Sequence, residues 1–219
     1  MKRALICFTR PPVPGRTKTR LMPCLSGESC AALHTAFLRD IAAVCGRVDA
    51  DLYVAFAPEG DWRALEGIFP AALDVFPQTG EGLGERMHAA LARVLALGYE
   101  SCVLMGSDLP ELTADHLLAA FRALEWADVT LGPTADGGYY LVGLKRPCRA
   151  IFAGQTFGCA SVYESTLTAI RAAGLTFCPG PLCPDVDVPE DLRRLRRTVR
   201  PDSHTGRLLN TLHWEENDK

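Results

Sequence analysis

Four cations stand close together near the start of the chain: Arg10, Arg16, Lys18 and Arg20, in the run RPPVPGRTKTRLMP. Arginine offers a planar fork to phosphate oxygens and lysine a point charge, so this grouping suits a di- or triphosphate. Pro11, Pro12 and Pro14 limit the freedom of the segment and prevent it from continuing a helix or a central strand. A solvated basic loop is the plain alternative.

Carboxylates form a second set: Asp108 in MGSDLP, Asp136 in ADGGYY, and Asp185 and Asp187 in CPDVDVPEDL. Mg²⁺ takes hard oxygen ligands, usually one or two carboxylates with phosphate oxygens and water, and Asp108 and Asp187 are the pair that could share Mg²⁺ or Mn²⁺. Without the ion two such acids would repel, and at least one should have a raised pKa. A charged turn before a helix beginning at Pro189 also accounts for Asp185 and Asp187. Val188 has no side-chain oxygen with which to cap that helix, however, and Asp187 need not serve as its cap.

The elements that position these residues follow from the apolar pattern. Cys102 to Met105 is a continuous hydrophobic run of strand length, as expected for a central strand covered on both faces, and Asp108 follows its end. Ala4 to Thr9 reads as the first buried strand, with the basic loop directly after it. In open parallel sheets ligands gather beyond the carboxyl ends of strands, which is where both sets fall. Strands at 51–57, 73–76, 128–132 and 175–178 alternate with helices at 26–47, 62–69, 85–97, 113–126, 160–173 and 189–199. The strand Tyr139 to Leu144 follows its predecessor too closely for a parallel crossover, so it is antiparallel or set in a side layer. This order predicts an α/β fold, a single three-layer α/β/α sandwich with a mostly parallel mixed sheet. Residues 1–200 form the expected domain, and 201–219 a polar tail with a weak helix over 207–214.

Three smaller features bear on the site. QTGEGLG, from Gln78 to Gly84, precedes a helix whose free amides suit an anion or a ribose, or is a surface turn. Gly137 and Gly138 beside Asp136 permit a close backbone approach or a tight hairpin. None of the five His sits in HExxH and no Ser in GxSxG, which disfavours zinc catalysis and serine hydrolysis; GxGxxG and the phosphate-loop pattern are also absent.

The 219 residues are 48% hydrophobic and carry a net charge of −3, which excludes bulk disorder and argues against a nucleic-acid partner. No stretch has the length of a membrane span, and the apolar run at the amino end is too short for a signal peptide. The nine cysteines fit reduced thiols in a cytoplasmic protein, with zinc or a disulfide at Cys178 and Cys183 a minor alternative.

Together the motifs resemble the glycosyltransferase-A-like family of small bacterial proteins, formerly a domain of unknown function, in the nucleotide-diphospho-sugar transferase superfamily. The family pattern reads approximately K-x-P-x-P-G-x-x-K-T-R-L, Q-x-x-x-x-L-G-x-R-M, G-S-D-x-P, G-P-x-x-D-G-G-Y-Y-L-x-G, W-x-T-x-x-V and D-x-D-T-P-E-D-L, and it is matched from Ile6 to Leu192. The resemblance implies the glycosyltransferase-A fold and assigns Arg10, Arg16, Lys18 and Arg20 to nucleotide phosphates. It gives Gln78, Gly84 and Arg86 to the nucleoside side and makes Asp108 and Asp187 metal ligands. Asp108 and Asp136 become the catalytic acids, with Asp136 an acceptor-side base. Gly137, Gly138, Tyr139, Phe157 and Ser161 fall to the acceptor or sugar pocket.

The chain departs from the pattern at Arg10, at Val188 and at FGCASV, residues 157–162, where the family Trp and Thr are replaced. Phe157, Gly158 and Ser161 also match the F-G-x-x-S of phospholactate guanylyltransferases, relatives that share the K-T-R-L loop. The implied function is a metal-dependent transferase using a nucleoside-diphosphate-sugar and a small-molecule acceptor. The alternatives are a nucleotidyltransferase that joins an NTP to a phosphorylated small molecule and releases pyrophosphate, and a non-catalytic nucleotide-binding protein.

Overall fold

The computed structural model describes residues 2–212. Its strands are β1 (Arg3–Thr9), β2 (Asp51–Phe56), β3 (Ala72–Pro77), β4 (Ser101–Met105), β5 (Val129–Pro133), β6 (Tyr139–Leu144) and β7 (Phe177–Pro179). The helices are α1 (Gly27–Cys45), α2 (Leu83–Leu95), α3 (Ala114–Trp126), α4 (Val162–Ala172), α5 (Pro189–Thr198) and α6 (His204–Leu209).

Side chains alternate across a strand, and the two faces of β1 and β4 accordingly serve two cores. Leu5, Cys7, Val103 and Met105 pack with Leu38 and Ile41 of α1 and with Leu117 and Phe121 of α3. Ala4, Ile6, Cys102 and Leu104 pack on the other side with Met87 and Leu91 of α2 and with Leu167 and Ile170 of α4. Helices therefore cover both faces of the sheet in the three expected layers, and Leu104 is buried. Covering both faces is what makes β4 a continuous apolar run.

Sheet order is β3-β2-β1-β4-β6-β5-β7. β1 pairs in parallel with both β2 and β4, whereas β6 lies between β4 and β5 and is antiparallel to each. Of the two placements open to β6, the structure takes the antiparallel one, at the centre of the sheet. The strand order reverses beside β1, and the carboxyl ends of β1 and β4 flank that reversal, where an open sheet leaves a crevice.

A third apolar cluster joins Leu21, Leu33 and Phe37 to Val186, Leu192, Leu195 and Leu209. It ties the segment after β1 to the segment before α5. The terminal helix runs over His204–Leu209 rather than 207–214, and residues 213 and 214 of that expectation lie outside the described residues. Its start is held by Asp40 of α1, whose carboxylate accepts from the backbone N–H of His204 and Thr205 at 2.8 and 2.9 Å. All nine cysteines are free thiols. Among the described residues no helix is long and apolar enough to cross a membrane.

Candidate functional site

A cleft of about 750 Å³ opens over the carboxyl ends of β1 and β4. The loop after β1 forms one wall. Thr17, buried in this loop, donates through Oγ1 to the Pro11 carbonyl at 2.8 Å and accepts from the Val13 N–H at 3.1 Å. With Leu21 inserted in the third cluster, these bonds give the Pro-rich loop one shape. Arg10, Arg16, Lys18 and Arg20 all line the cleft, but in different states. Arg20 is 71% exposed, whereas the Lys18 side chain is 4% exposed.

The Lys18 ammonium lies 2.6 Å from Asp108 Oδ1 and 3.3 Å from Asp187 Oδ1, and it also donates to the Val186 carbonyl. An ammonium has three donors, and three oxygens meet them. In this arrangement the three donors of Lys18 are met by protein oxygens. Burial favours a neutral Asp108, but the Lys18 charge and hydrogen bond outweigh it and hold the carboxyl below the usual range. The expected repulsion between the two acids does not raise Asp108, because a cation stands between them.

Backbone contacts bring the two acids together. The N–H of Val186 donates to the Asp108 carbonyl at 3.0 Å, which sets Asp187 beside the end of β4. Asp191 accepts from the N–H groups of Asp187 and Val188 at 3.0 and 3.1 Å. A carboxylate three residues into α5 thereby serves the start of that helix, and the Asp187 side chain remains on the cleft. Arg20 approaches Asp187 Oδ2 at 3.7 Å.

Beneath Asp108, Thr9 at the end of β1 donates to Ser107 Oγ at 3.0 Å and contacts His34 Nε2 at 3.2 Å. His34 Nε2 also lies 3.1 Å from the Arg10 carbonyl. Nδ1 has no hydrogen-bond partner and sits 3.7 Å from Asp108 Oδ1. Burial pushes the His34 pKa down to about 4, so the ring is neutral near pH 7. Thr9, His34 and Ser107 support Asp108 from beneath. His34 lies on the buried face of α1 like any core position, and no local spacing marks it.

The opposite wall comes from the β5–β6 turn and the segment before α4. Asp136 Oδ1 accepts from Thr134 Oγ1 at 2.5 Å and from the Gly138 N–H at 3.0 Å. The Thr134 bond leads in lowering the Asp136 pKa, and this weakens the acid as a base. Asp185, also on the cleft, is pushed up to about 6 by burial and then by Asp187 and Asp136. Gly138, Tyr139, Phe157 and Cys159 line this end, and the Tyr139 and Phe157 rings meet edge to face with centroids 6.4 Å apart.

Gln78 and Arg86 line the cleft as well. Gln78 Nε2 donates to the carbonyls of Thr9 and Ala55 at 3.1 and 3.0 Å, which locks its amide at the ends of β1 and β2. Arg86 is engaged by Glu59 at 2.7 Å.

Three expected residues do not line the cleft. Gly84 is buried, and a Cβ there would come within 2.8 Å of the Phe152 carbonyl and the Phe157 ring, so its lack of a side chain serves packing. Gly137 adopts φ +87° and backs onto the Ala160 carbonyl, which a Cβ would meet at 2.0 Å. Ser161 Oγ turns to Cys159 Sγ at 3.2 Å.

Carboxylate and carbonyl oxygens are the right donors for Mg²⁺ or Mn²⁺. Their shared position, however, holds the Lys18 ammonium. With the ammonium in that place, Asp108 and Asp187 as arranged do not fit a resident divalent cation.

The fold and its cleft define an α/β protein of the nucleotide-diphospho-sugar transferase type. The chain belongs to the family described as "Uncharacterized protein conserved in bacteria (DUF2064)", whose pattern matches residues 40–159. That match contains Gln78, Asp108 and Asp136 but neither the basic loop nor Asp187. A solved protein from Desulfovibrio desulfuricans G20, provisionally described as a nucleotide-diphospho-sugar transferase, is 33% identical with a TM-score of 0.89, over 96% of this chain and 95% of that one. The transferase class expected from the sequence agrees with this relative.

Two others share the fold. CMP:2-keto-3-deoxy-manno-octonic acid synthetase complexed with CTP has a TM-score of 0.56 at 13% identity, over 90% of this chain and 98% of that one. Rv0371c of Mycobacterium tuberculosis H37Rv, solved with manganese, has a TM-score of 0.55 at 17% identity, over 91% and 100%. A curated relative, gamma-glutamyl phosphate reductase of Bacteroides fragilis (strain YCH46), is 33% identical over 67 residues. That segment is 31% of this chain and spans only 16% of the reductase.

Proposed function

We propose that the protein is a transferase acting on a nucleoside-diphosphate-sugar, with the diphosphate held against the loop after β1. The observation that carries this reading is the convergence of Arg10, Arg16 and Arg20 with Asp108 and Asp187 in one cleft at the strand-order reversal. Such chemistry rests on positioning and on charge stabilisation of the leaving diphosphate, and needs no protein nucleophile. The exposed guanidinium of Arg20 binds phosphate oxygens, and Arg10 and Arg16 extend the positive wall. Gln78 and Arg86 lie at the nucleoside side, and Tyr139 and Phe157 form the apolar floor beneath the sugar or acceptor. Asp136 orients the β5–β6 turn toward the acceptor, and Asp185, with its raised pKa, is the better proton acceptor near neutral pH.

Mg²⁺ or Mn²⁺ enters this reading only as a companion of the nucleotide phosphates, since Lys18 holds the place between the acids. Residues 1–200 are the nucleotide-binding domain and 201–219 its tail, with α6 bracing α1 away from the cleft. The partners are a nucleotide-sugar and a small-molecule acceptor, with no nucleic acid. The nine unpaired thiols support a cytoplasmic enzyme.

Nucleotidyl transfer is the second reading, favoured by the CTP-complexed fold relative. Incubation with nucleotide-sugars and NTPs, each with phosphorylated and unphosphorylated acceptors, separates the two. A free nucleoside diphosphate supports sugar transfer, and pyrophosphate supports nucleotidyl transfer. Binding without turnover of any of them would make the protein a non-catalytic nucleotide binder.

A further inference from the structure

We propose that Lys18 is the resident cation of this cleft and that its ammonium excludes a divalent ion from the Asp108–Asp187 pair. The inference goes beyond the transferase reading and survives its failure, since it concerns the free protein and the metal alone.

Three observations carry it. The ammonium touches one oxygen of each acid and the Val186 carbonyl between them, so those two carboxylate oxygens can be no farther apart than 2.6 and 3.3 Å laid end to end. An ion set between those two oxygens on the lysine side would have to displace the ammonium. The backbone also commits Lys18 to this place. It is the only non-glycine residue with positive φ among the described residues, at 54°, between buried Thr17 and buried Leu21. A left-handed lysine is strained and persists when its surroundings require it. Here the requirement is delivery of the side chain under the loop to the two acids. A second cation also stands at the pair, with the Arg20 guanidinium 3.7 Å from Asp187 Oδ2.

Mn²⁺ alone, titrated into the full-length protein and followed by the electron paramagnetic resonance of the free ion, tests the proposal. The wild-type protein is expected to show no binding that Asp108→Asn removes. Lys18→Met, which keeps the stem and deletes the charge, should bind Mn²⁺ at least about tenfold more tightly, as loss of a unit charge a few ångströms away implies. The double variant Lys18→Met/Asp108→Asn should lose that gain. A lysine with a purely structural role would not raise metal affinity when removed. Wild-type binding of one Mn²⁺ that Asp108→Asn abolishes overturns the proposal, as does a folded Lys18→Met protein without the gain. Should Lys18→Met fail to fold, Lys18→Gln takes its place, and the wild-type and Asp108→Asn titrations remain decisive by themselves.

Discussion

At the phosphate end of the cleft the contacts join residues remote in the chain: Lys18 to Val186 and Asp187, Thr9 to Ser107, and His34 to Asp108. Beside the β5–β6 turn the hydrogen bonds are short-range, with Thr134 and Gly138 on Asp136, Cys159 on Ser161, and Cys159 on the Thr156 carbonyl. The first end is an interlock of three segments that none can form alone. The second is a pair of turns with short-range bonds of their own, which meet through the Tyr139 and Phe157 rings. The chain departs from the family pattern at 157–162 in this second end, and at Arg10 and Val188 beside the first.

Removing the interlock should have the largest effect. Lys18→Met leaves Asp108 without its counter-charge and should cost about 2–3 kcal/mol in denaturant unfolding, less than for a fully buried pair because Asp108 is 42% exposed to the cleft. Adding Asp108→Asn should recover part of that loss. A cost below about 0.5 kcal/mol for the single change would erase the contrast between the two ends.

Next comes His34. Its folded pKa of about 4 lies below the ordinary 6.5, so the unfolded chain binds more protons between these values. The contribution is therefore present above pH 6.5 and lost as pH falls toward 4. Between pH 7 and pH 4.5 the wild-type protein should lose about 2 kcal/mol more stability than His34→Gln. Parallel urea curves for both proteins at the two pH values would place the histidine outside the interlock.

Arg20 sharpens the comparison from the ligand side. Arg20→Ala should weaken binding of a nucleoside diphosphate, measured by calorimetry, by about 1.5–3 kcal/mol, the range for a charge-assisted bond. Thermal stability should stay within about 0.5 kcal/mol, since the side chain is 71% exposed. Unchanged affinity would detach the loop from phosphate binding.

The smallest effect belongs to the acceptor end. Ser161→Ala removes one contact to Cys159 and should change both stability and diphosphate affinity by less than about 0.5 kcal/mol. A larger loss of diphosphate affinity would show that the two ends are coupled.

The apolar periodicity of the chain determined its elements and its layering, because a strand covered on both faces must be apolar at every position, as Cys102 to Met105 are, and helical spacing marks a face that must be buried. It also placed the basic loop and Asp108 at strand ends, which is why the cleft could be located beforehand. The role of Lys18 was not legible. Lysine beside arginines on a loop suggests phosphate, and nothing nearby in sequence reveals that residues 186 and 187 return to meet its ammonium. The same holds for Gly84 and Gly137, whose motifs point to a ligand but whose neighbours in space are Phe157 and Ala160. Local pattern determines what a segment becomes; only tertiary packing, by bringing distant charges within a few ångströms, decides whether a cation faces a ligand or a carboxylate.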